Sequence, residues 1–176
     1  MDLSDQVVLA VRRVLEAEGV EGLRVADLTR EDISSLGWSG DRLHLVSVGR
    51  ALDRVGSGDV EYLVVRAPSG DPVAKLGIDY AANPGAGLLM QLSTADELQG
   101  LGIATHLIAV AEGRIRERGL FVAELGVEEH DPRARALYER LGYTMARRQS
   151  ASWDSEDEHG NATVYETELL ILRKEL

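Results

Sequence analysis

The chain has 176 residues, the length of one domain with a sizeable core, and no apolar run approaches the roughly 20 residues that span a bilayer. Thirty acidic and nineteen basic residues give a formal charge of −11, which argues against nucleic-acid binding and is compatible with a cationic amine substrate. The chain has no cysteine, which excludes disulfides, thiolate metal sites and a cysteine acyl-enzyme.

The N-terminal segment is acidic and lacks the basic start and apolar stretch of a secretory signal, so we expect a cytoplasmic protein without membrane partners. Ser4 or Asp5 is a suitable cap for a first amphipathic helix, which ends near Gly19. We therefore expect residues 1–20 to be a helical extension of a single domain that spans residues 1–176.

The next segments show first a strand pattern and then two helix patterns. Gly22–Leu28 alternates apolar with polar residues and predicts a short strand. Thr29–Asp32 contains capping-type residues that open a helix leading to Trp38. Leu43–Val55 has the apolar spacing of a second helix, which a glycine-containing turn closes.

Three strand patterns follow in succession. Asp59–Ala67 and Pro72–Tyr80 are apolar segments separated by the turn residues Pro68–Asp71, which predicts a hairpin. A further turn containing proline and glycine precedes the strand Gly87–Thr94. The sequence therefore predicts a mainly antiparallel first half of the sheet.

A glycine-punctuated loop, Gln99–Ala104, runs directly into the helix-periodic segment Ile103–Arg118. Backbone N–H groups in such a loop can close around phosphate oxygens, and the helix N-terminus adds roughly half a positive charge. Gly100 and Gly102 allow a close approach to the backbone. The loop lacks the third glycine of a dinucleotide fingerprint and the Gly-Lys-Ser/Thr of a P-loop.

In the last third of the chain, predicted strands surround one predicted helix. Leu120–Val127 is a continuous apolar run typical of a buried strand, and His130–Pro132 starts a helix that continues through Leu141. Tyr143–Trp153 and Thr163–Arg173 predict two further strands around an acidic tip. This mixed order of elements indicates an α+β fold with one central sheet.

Two blocks carry a resemblance to a known family. Gln99–Ala104 fits the pattern Gln/Arg-x-x-Gly-x-Gly/Ala, and a helix of the pattern Asn-x-x-Ala-x-x-Leu-Tyr with a Gly-Phe/Tyr exit is matched by Ala134, Leu137, Tyr138, Gly142 and Tyr143. Both blocks, in this order, resemble the GNAT superfamily of acetyl-CoA-dependent N-acetyltransferases. The resemblance covers roughly residues 59–176 and is densest over residues 88–143. It implies a three-layer α/β/α domain in which helices flank a mixed, mostly antiparallel sheet.

The resemblance implies that acetyl-CoA is the co-substrate and indicates which residues bind it. The strand before the loop would pair with the pantetheine amides and supply oxyanion donors, and the phenol of Tyr138 would protonate the coenzyme A sulfur or hydrogen-bond to it. Asp131 stands where the family has asparagine, so it either contacts the cofactor or only caps its helix. The implied cofactor-binding residues are Leu92, Ser93, Thr94, Gln99, Gly100, Leu101, Gly102, Ile103, Ala104, Thr105, Asp131, Arg135 and Tyr138.

The sequence leaves several candidates for the general base. Glu128 is the first candidate, because it ends its strand on the same face as Glu124 and Gly126. The other candidates are Glu129, His130 and Asp79, and an ordered water is a further alternative. Trp38, Trp153 and Tyr165 either line an acceptor pocket or serve packing.

Taken with the resemblance, these features predict direct transfer of an acetyl group from acetyl-CoA to a primary amine of a small molecule or peptide. The alternative is a non-catalytic acyl-CoA-binding regulatory module of the same fold, and a purely structural role is a third reading. The four histidines show no metal-ligand spacing, so we expect no metal. A homodimer is the expectation for the oligomeric state.

Overall fold

The computed structural model describes residues 2–176. The α-helices are α1 (Asp5–Glu18), α2 (Arg42–Asp53), α3 (Ile103–Glu117) and α4 (Pro132–Arg140). The strands are β1 (Arg24–Asp27), β2 (Val60–Arg66), β3 (Pro72–Asp79), β4 (Gly87–Thr94), β5 (Val122–Glu128), β6 (Thr144–Glu156) and β7 (Ala162–Glu175). They form one sheet in the order β1-β2-β3-β4-β5-β7-β6, in which only β4 and β5 are parallel neighbours. The predicted mixed, mostly antiparallel sheet is confirmed.

The segment after β1 differs from its prediction. It forms two short 3₁₀ helices, Arg30–Ser35 and Gly37–Ser39, in place of one continuous helix. The predicted capping residues are present, because the Asp32 carboxylate accepts hydrogen bonds from the backbone N–H and the hydroxyl of Thr29. The glycine and serines that follow have low helix propensity, which explains why the turn does not propagate.

Helices cover both faces of the sheet, which confirms the three-layer arrangement. On one face, α1 and α3 bury Val11 and Leu107 in the larger core. On the other face, α2 packs Val48 against Val60 and Val64 of β2. The sheet therefore separates an α1/α3 face from an α2 face.

The strands β4 and β5 pair over a short distance only. Their parallel register includes three residue pairs and ends at Leu89 and Leu125. Beyond that point β4 continues to Thr94 and β5 to Glu128, so the two strands diverge. The divergence opens a slot in the middle of the sheet.

The close approach of α3 to β4 can be tested at Gly87. An added Cβ at this position would lie 2.5 Å from Cδ1 and Cγ1 of the fully buried Ile115. We expect Gly87→Ala to lower the free energy of unfolding by about 1–3 kcal/mol, measured by urea denaturation. Gly113→Ala on α3 is the matched control, because a Cβ there meets nothing within 4 Å. It should raise stability by roughly 0.5–1 kcal/mol, and equal effects of the two variants would contradict the packing argument.

Candidate functional site

The glycine loop places a helix N-terminus beside the end of β4. Gly100 and Gly102 have φ values of 76° and 86°, a left-handed conformation that glycine adopts without steric cost. Gly102 is the N-cap of α3 and offers no side chain to the first-turn N–H groups. These N–H groups have no intrahelical acceptor, so they are available to an anion.

The side chain of Gln99 holds this loop against the strand that precedes it. Its Nε2 donates to the Thr94 carbonyl at 3.2 Å and to the Asp96 carboxylate at 2.8 Å. From α1, the Arg12 guanidinium donates to the Glu97 carbonyl at 2.9 Å. The loop is therefore tied to β4 and to the first helix at once.

A cleft of about 860 Å³ lies between this loop, the end of β4 and α4. It brings together ten of the predicted cofactor residues. They are Leu92, Ser93, Thr94, Gln99, Gly100, Gly102, Ile103, Ala104, Thr105 and Asp131. The two sequence blocks therefore meet in space around one open cavity.

Three predicted cofactor residues do not line this cleft, and one of them, Tyr138, lines a second cavity described below. Leu101 packs against the core, and the Arg135 guanidinium pairs with Glu139 at 2.7 Å. Arg133 and Arg140 line the cleft instead, and the sequence reasoning missed them. A spacing of seven residues places these two arginines on one face of α4, while Arg135 lies off that face, so helical periodicity was the available signal.

Asp131 is the N-cap of α4, as one of the two sequence alternatives predicted. Its Oδ1 accepts from the Ala134 backbone N–H at 3.0 Å. The same residue also lines the cleft. Helix capping therefore explains why an aspartate occupies position 131.

A second cavity of about 190 Å³ lies where β4 and β5 diverge. Its walls include Gln91 and Leu92 from β4, Gly126 from β5, and Tyr138 from α4. The backbone of β4 faces this slot in place of a neighbouring strand. An extended ligand placed here can therefore hydrogen-bond to β4 as a strand does.

Tyr138 lines this slot and its phenol remains protonated there. Burial, together with the negative charge of Asp131, raises the pKa of Tyr138 above its usual range. Its ring packs edge-on against Tyr143, with the centroids 6.3 Å apart. The Tyr143 hydroxyl in turn donates to the buried Glu112 at 2.9 Å.

Gln91 forms a bulge in β4 beside the slot. It has φ 54°, although it is not glycine, and the pairing of β3 with β4 shifts register opposite this residue. Its side chain accepts from the Tyr62 hydroxyl at 2.8 Å and donates to Ser47 at 2.9 Å. Its carbonyl accepts from Lys75 Nζ at 2.9 Å. The sequence analysis missed this network, for which the lone lysine within the apolar β3 was the available signal.

Glu128 lies at the end of β5 on the α2 face, outside both cavities. Its Oε1 accepts from the Tyr165 hydroxyl at 2.8 Å, and the Tyr165 ring stacks on Trp153 at 5.0 Å. Trp153 and Tyr165 are 44% and 37% exposed, so they can meet a ligand on this face. Trp38 lies elsewhere, packed in the smaller core with its Nε1 donating to the Pro72 carbonyl.

The other candidate bases are engaged or exposed. Glu129 pairs with Arg148, and Asp79 accepts from Arg54 at 2.7 Å and from two backbone N–H groups. The His130 ring is exposed and lies 3.9 Å from Glu128. Within residues 2–176, no group of three or more His, Asp or Glu side chains is placed to hold a metal ion. No helix in the same residues is long and apolar enough to cross a membrane.

A family model described as "Acetyltransferase (GNAT) family" matches residues 38–143, which is more than half of the chain. The chain belongs to the GNAT family. Members of this family use acetyl-CoA as co-substrate, so the predicted family and cofactor are confirmed, and acyltransferase activity is supported. A comparison with curated protein sequences finds no match to this GNAT protein.

Solved structures of acetyltransferases share its fold. The PaiA N-acetyltransferase from Thermoplasma acidophilum, in complex with coenzyme A, has a TM-score of 0.64 and 14% identity, covering 88% of this chain and 99% of that one. A ribosomal-protein-alanine N-acetyltransferase from Brucella melitensis has a TM-score of 0.67 and 19% identity, covering 88% and 100%. The spermidine/spermine N-acetyltransferase SpeG from Vibrio cholerae has a TM-score of 0.64 and 15% identity, covering 87% and 92%. At these identities the likeness shows the fold, and the predicted GNAT-like α+β class is confirmed.

The phosphate role of the glycine loop can be tested at Gly102. We expect Gly102→Glu to remove detectable acetyl-CoA binding in calorimetry, because it places bulk and negative charge at the helix N-terminus. Gly70→Glu is the matched control. Gly70 also has a positive φ, of 96°, but lies in the turn between β2 and β3. If Gly102→Glu binds acetyl-CoA as tightly as the control, the loop is not the phosphate site.

Proposed function

We propose that this GNAT protein transfers an acetyl group from acetyl-CoA directly to a primary amine of a small molecule or peptide. The observation that carries the proposal is the divergence of β4 and β5. It joins the glycine-loop cleft at one end to the phenol of Tyr138 at the other. An elongated nucleotide thioester matches this path in both shape and charge.

The described residues fit acetyl-CoA along the whole path. The N-terminus of α3 and the nearby Arg133 and Arg140 favour the negative pyrophosphate. The open edge of β4 from Met90 to Thr94 supplies alternating backbone donors and acceptors for the pantetheine amides. The thioester then lies in the smaller cavity beside Tyr138.

Each group near the thioester has one role in the proposed reaction. The amine nitrogen forms a bond to the thioester carbonyl carbon, and the carbon–sulfur bond breaks. A backbone N–H of β4, for which Leu92 is our candidate, stabilises the negative charge on the carbonyl oxygen. Tyr138 donates its proton to the departing sulfur, and the proton of the amine passes to Glu128, directly or through water. The absence of cysteine agrees with transfer in one step.

The amine approaches from the α2 face of the sheet. Glu128 lies two residues beyond Gly126, which lines the slot on that face. The exposed pair Trp153 and Tyr165 lies beside this carboxylate and offers aromatic faces to a cationic nitrogen. Amine acceptors, the ribosomal-protein alanine and spermidine, appear in the names of the structural relatives, which supports an amine acceptor here.

The proposed acid is tested by thiol release from acetyl-CoA against a panel of primary amines. We expect Tyr138→Phe to lower turnover by roughly ten- to a thousandfold, with acetyl-CoA affinity unchanged, because only the phenolic proton is lost. Tyr143→Phe is the matched control. It removes the hydroxyl bonded to Glu112, so it should reduce stability and leave turnover unchanged.

Two outcomes contradict this proposal. Wild-type turnover in Tyr138→Phe would remove the acid role of that residue. Acetyl-CoA binding by the wild type, with no thiol release above background for any amine, would favour the regulatory module over the enzyme.

The proposed base is tested by the dependence of turnover on pH. We expect Glu128→Gln to flatten the acidic limb of the profile, because the amide cannot take up a proton. The matched control, Glu129→Gln, changes the adjacent carboxylate that pairs with Arg148 and should retain the wild-type profile. An unchanged profile in Glu128→Gln would assign the proton transfer to water.

A further inference from the structure

Lys75 is a fully buried lysine that has no carboxylate partner within residues 2–176. It is one of only two lysines in the chain and is 0% exposed in the middle of β3. Its Nζ contacts the Gln91 carbonyl at 2.9 Å, His44 Nε2 at 3.1 Å and the Tyr62 hydroxyl at 3.4 Å. The other lysine, Lys174, instead pairs with the Glu112 carboxylate at 2.8 Å. Burying a charged group without an opposite charge costs free energy. The contact between Lys75 and Gln91 is therefore expected to serve a function.

The contact between Lys75 and Gln91 sets the direction of a peptide group at the slot. No peptide bond within residues 2–176 is cis, so the Gln91–Leu92 peptide is planar and trans. In such a peptide the C=O and the following N–H point in opposite directions. The Gln91 carbonyl points toward Lys75 Nζ, so the Leu92 N–H points away from Nζ. Gln91 and Leu92 line the smaller cavity together with Gly126 and Tyr138, so this peptide group lies at the cavity wall.

We propose that Lys75 is a positioning residue for the transfer reaction: it holds the strained Gln91 bulge from behind and polarises the Leu92 N–H toward the thioester oxygen. A positive charge at the carbonyl end of a peptide withdraws electron density from its N–H end. The Leu92 N–H is then a stronger donor to developing negative charge. This inference rests on the proposed function and adds to it a residue that does not itself touch the substrate.

The titratable groups that face Lys75 are both neutral at pH 7. Burial, and next the charge of Lys75, lower the pKa of His44 to about 4, so the ring is neutral and its Nε2 accepts from the ammonium. Burial raises the pKa of Tyr62, which stays a neutral phenol. Burial lowers the pKa of Lys75 itself to about 7. His44 on α2 and Tyr62 on β2 face Lys75 across the network, and β4 presents the Gln91 carbonyl.

The test reads the thioester carbonyl directly and needs no acceptor amine. Isotope-edited infrared spectra of acetyl-CoA, labelled with ¹³C at the carbonyl, report how strongly a donor polarises that bond. We expect wild-type protein to lower the stretching frequency relative to free acetyl-CoA. Lys75→Met keeps the volume of the side chain and removes its charge and donors, so it should return the frequency toward the free value. With an accepted amine, it should lower kcat by roughly ten- to a hundredfold at unchanged KM for acetyl-CoA.

Lys174→Met is the matched control for the loss of a partly buried lysine. It breaks the pair with Glu112 on the opposite face of the sheet, so it should reduce stability and leave the carbonyl frequency as in the wild type. A wild-type frequency in Lys75→Met would overturn the inference while leaving the proposed function intact. Absence of acetyl-CoA binding by the wild type would instead overturn the proposed function, and the inference with it.

If Lys75→Met does not fold, a pH titration of the carbonyl frequency in the wild type tests the same inference. The ammonium is present below its pKa of about 7 and is lost above it. The bound carbonyl frequency should therefore be lowest near pH 6 and rise toward the free value by pH 9, with a midpoint near 7. A frequency that stays constant over this range would contradict polarisation by Lys75.

Discussion

The early divergence of β4 from β5 is the constraint on which the rest of the site depends. The parallel pair ends at Leu89 and Leu125, and the backbone of β4 beyond that point lacks its neighbour on one side. Buried backbone groups without partners are costly, so such an edge is maintained only where solvent or a ligand completes it. The glycine loop and α3 follow directly from the free end of β4. The anion site and the strand edge are therefore consecutive parts of one chain segment.

The stability of the surrounding layers maintains a locally unfavourable arrangement at the slot. Gln91 adopts a left-handed conformation that a side chain disfavours, and Lys75 is buried without a carboxylate. Each feature has a free-energy cost, and both occur at one peptide group. The Tyr62 and Ser47 hydroxyls bonded to the Gln91 side chain oppose relaxation of the bulge. Such a combination is expected where a backbone donor must be oriented before the ligand arrives.

The sequence predicted the parts of the site that depend on local structure. Two glycines before a helix and the Asp131 cap follow from spacing along the chain, whereas Tyr138 was selected through the family resemblance; all of them line the cleft or the slot. The network around Lys75 could not be predicted in this way. Its members come from β3, α2, β2 and β4, and they meet only after the strands have paired. Arg135 differs, since helical periodicity alone separates it from the cleft-lining face of Arg133 and Arg140.

In the proposed reaction the sheet separates the two substrates, and this separation explains which half of the site the sequence predicts. The cofactor path uses backbone groups and one helix N-terminus, whose requirements are met by a few glycines at fixed spacing. The proposed amine path lies on the α2 face, where Glu128 accepts from Tyr165 of β7 and Tyr165 packs against Trp153 of β6. Those contacts depend on the register of a hairpin and on side-chain chemistry, which vary freely without disturbing the fold. Lys75 lies on this same face, so the proposed positioning residue and the proposed amine approach share one side of the sheet.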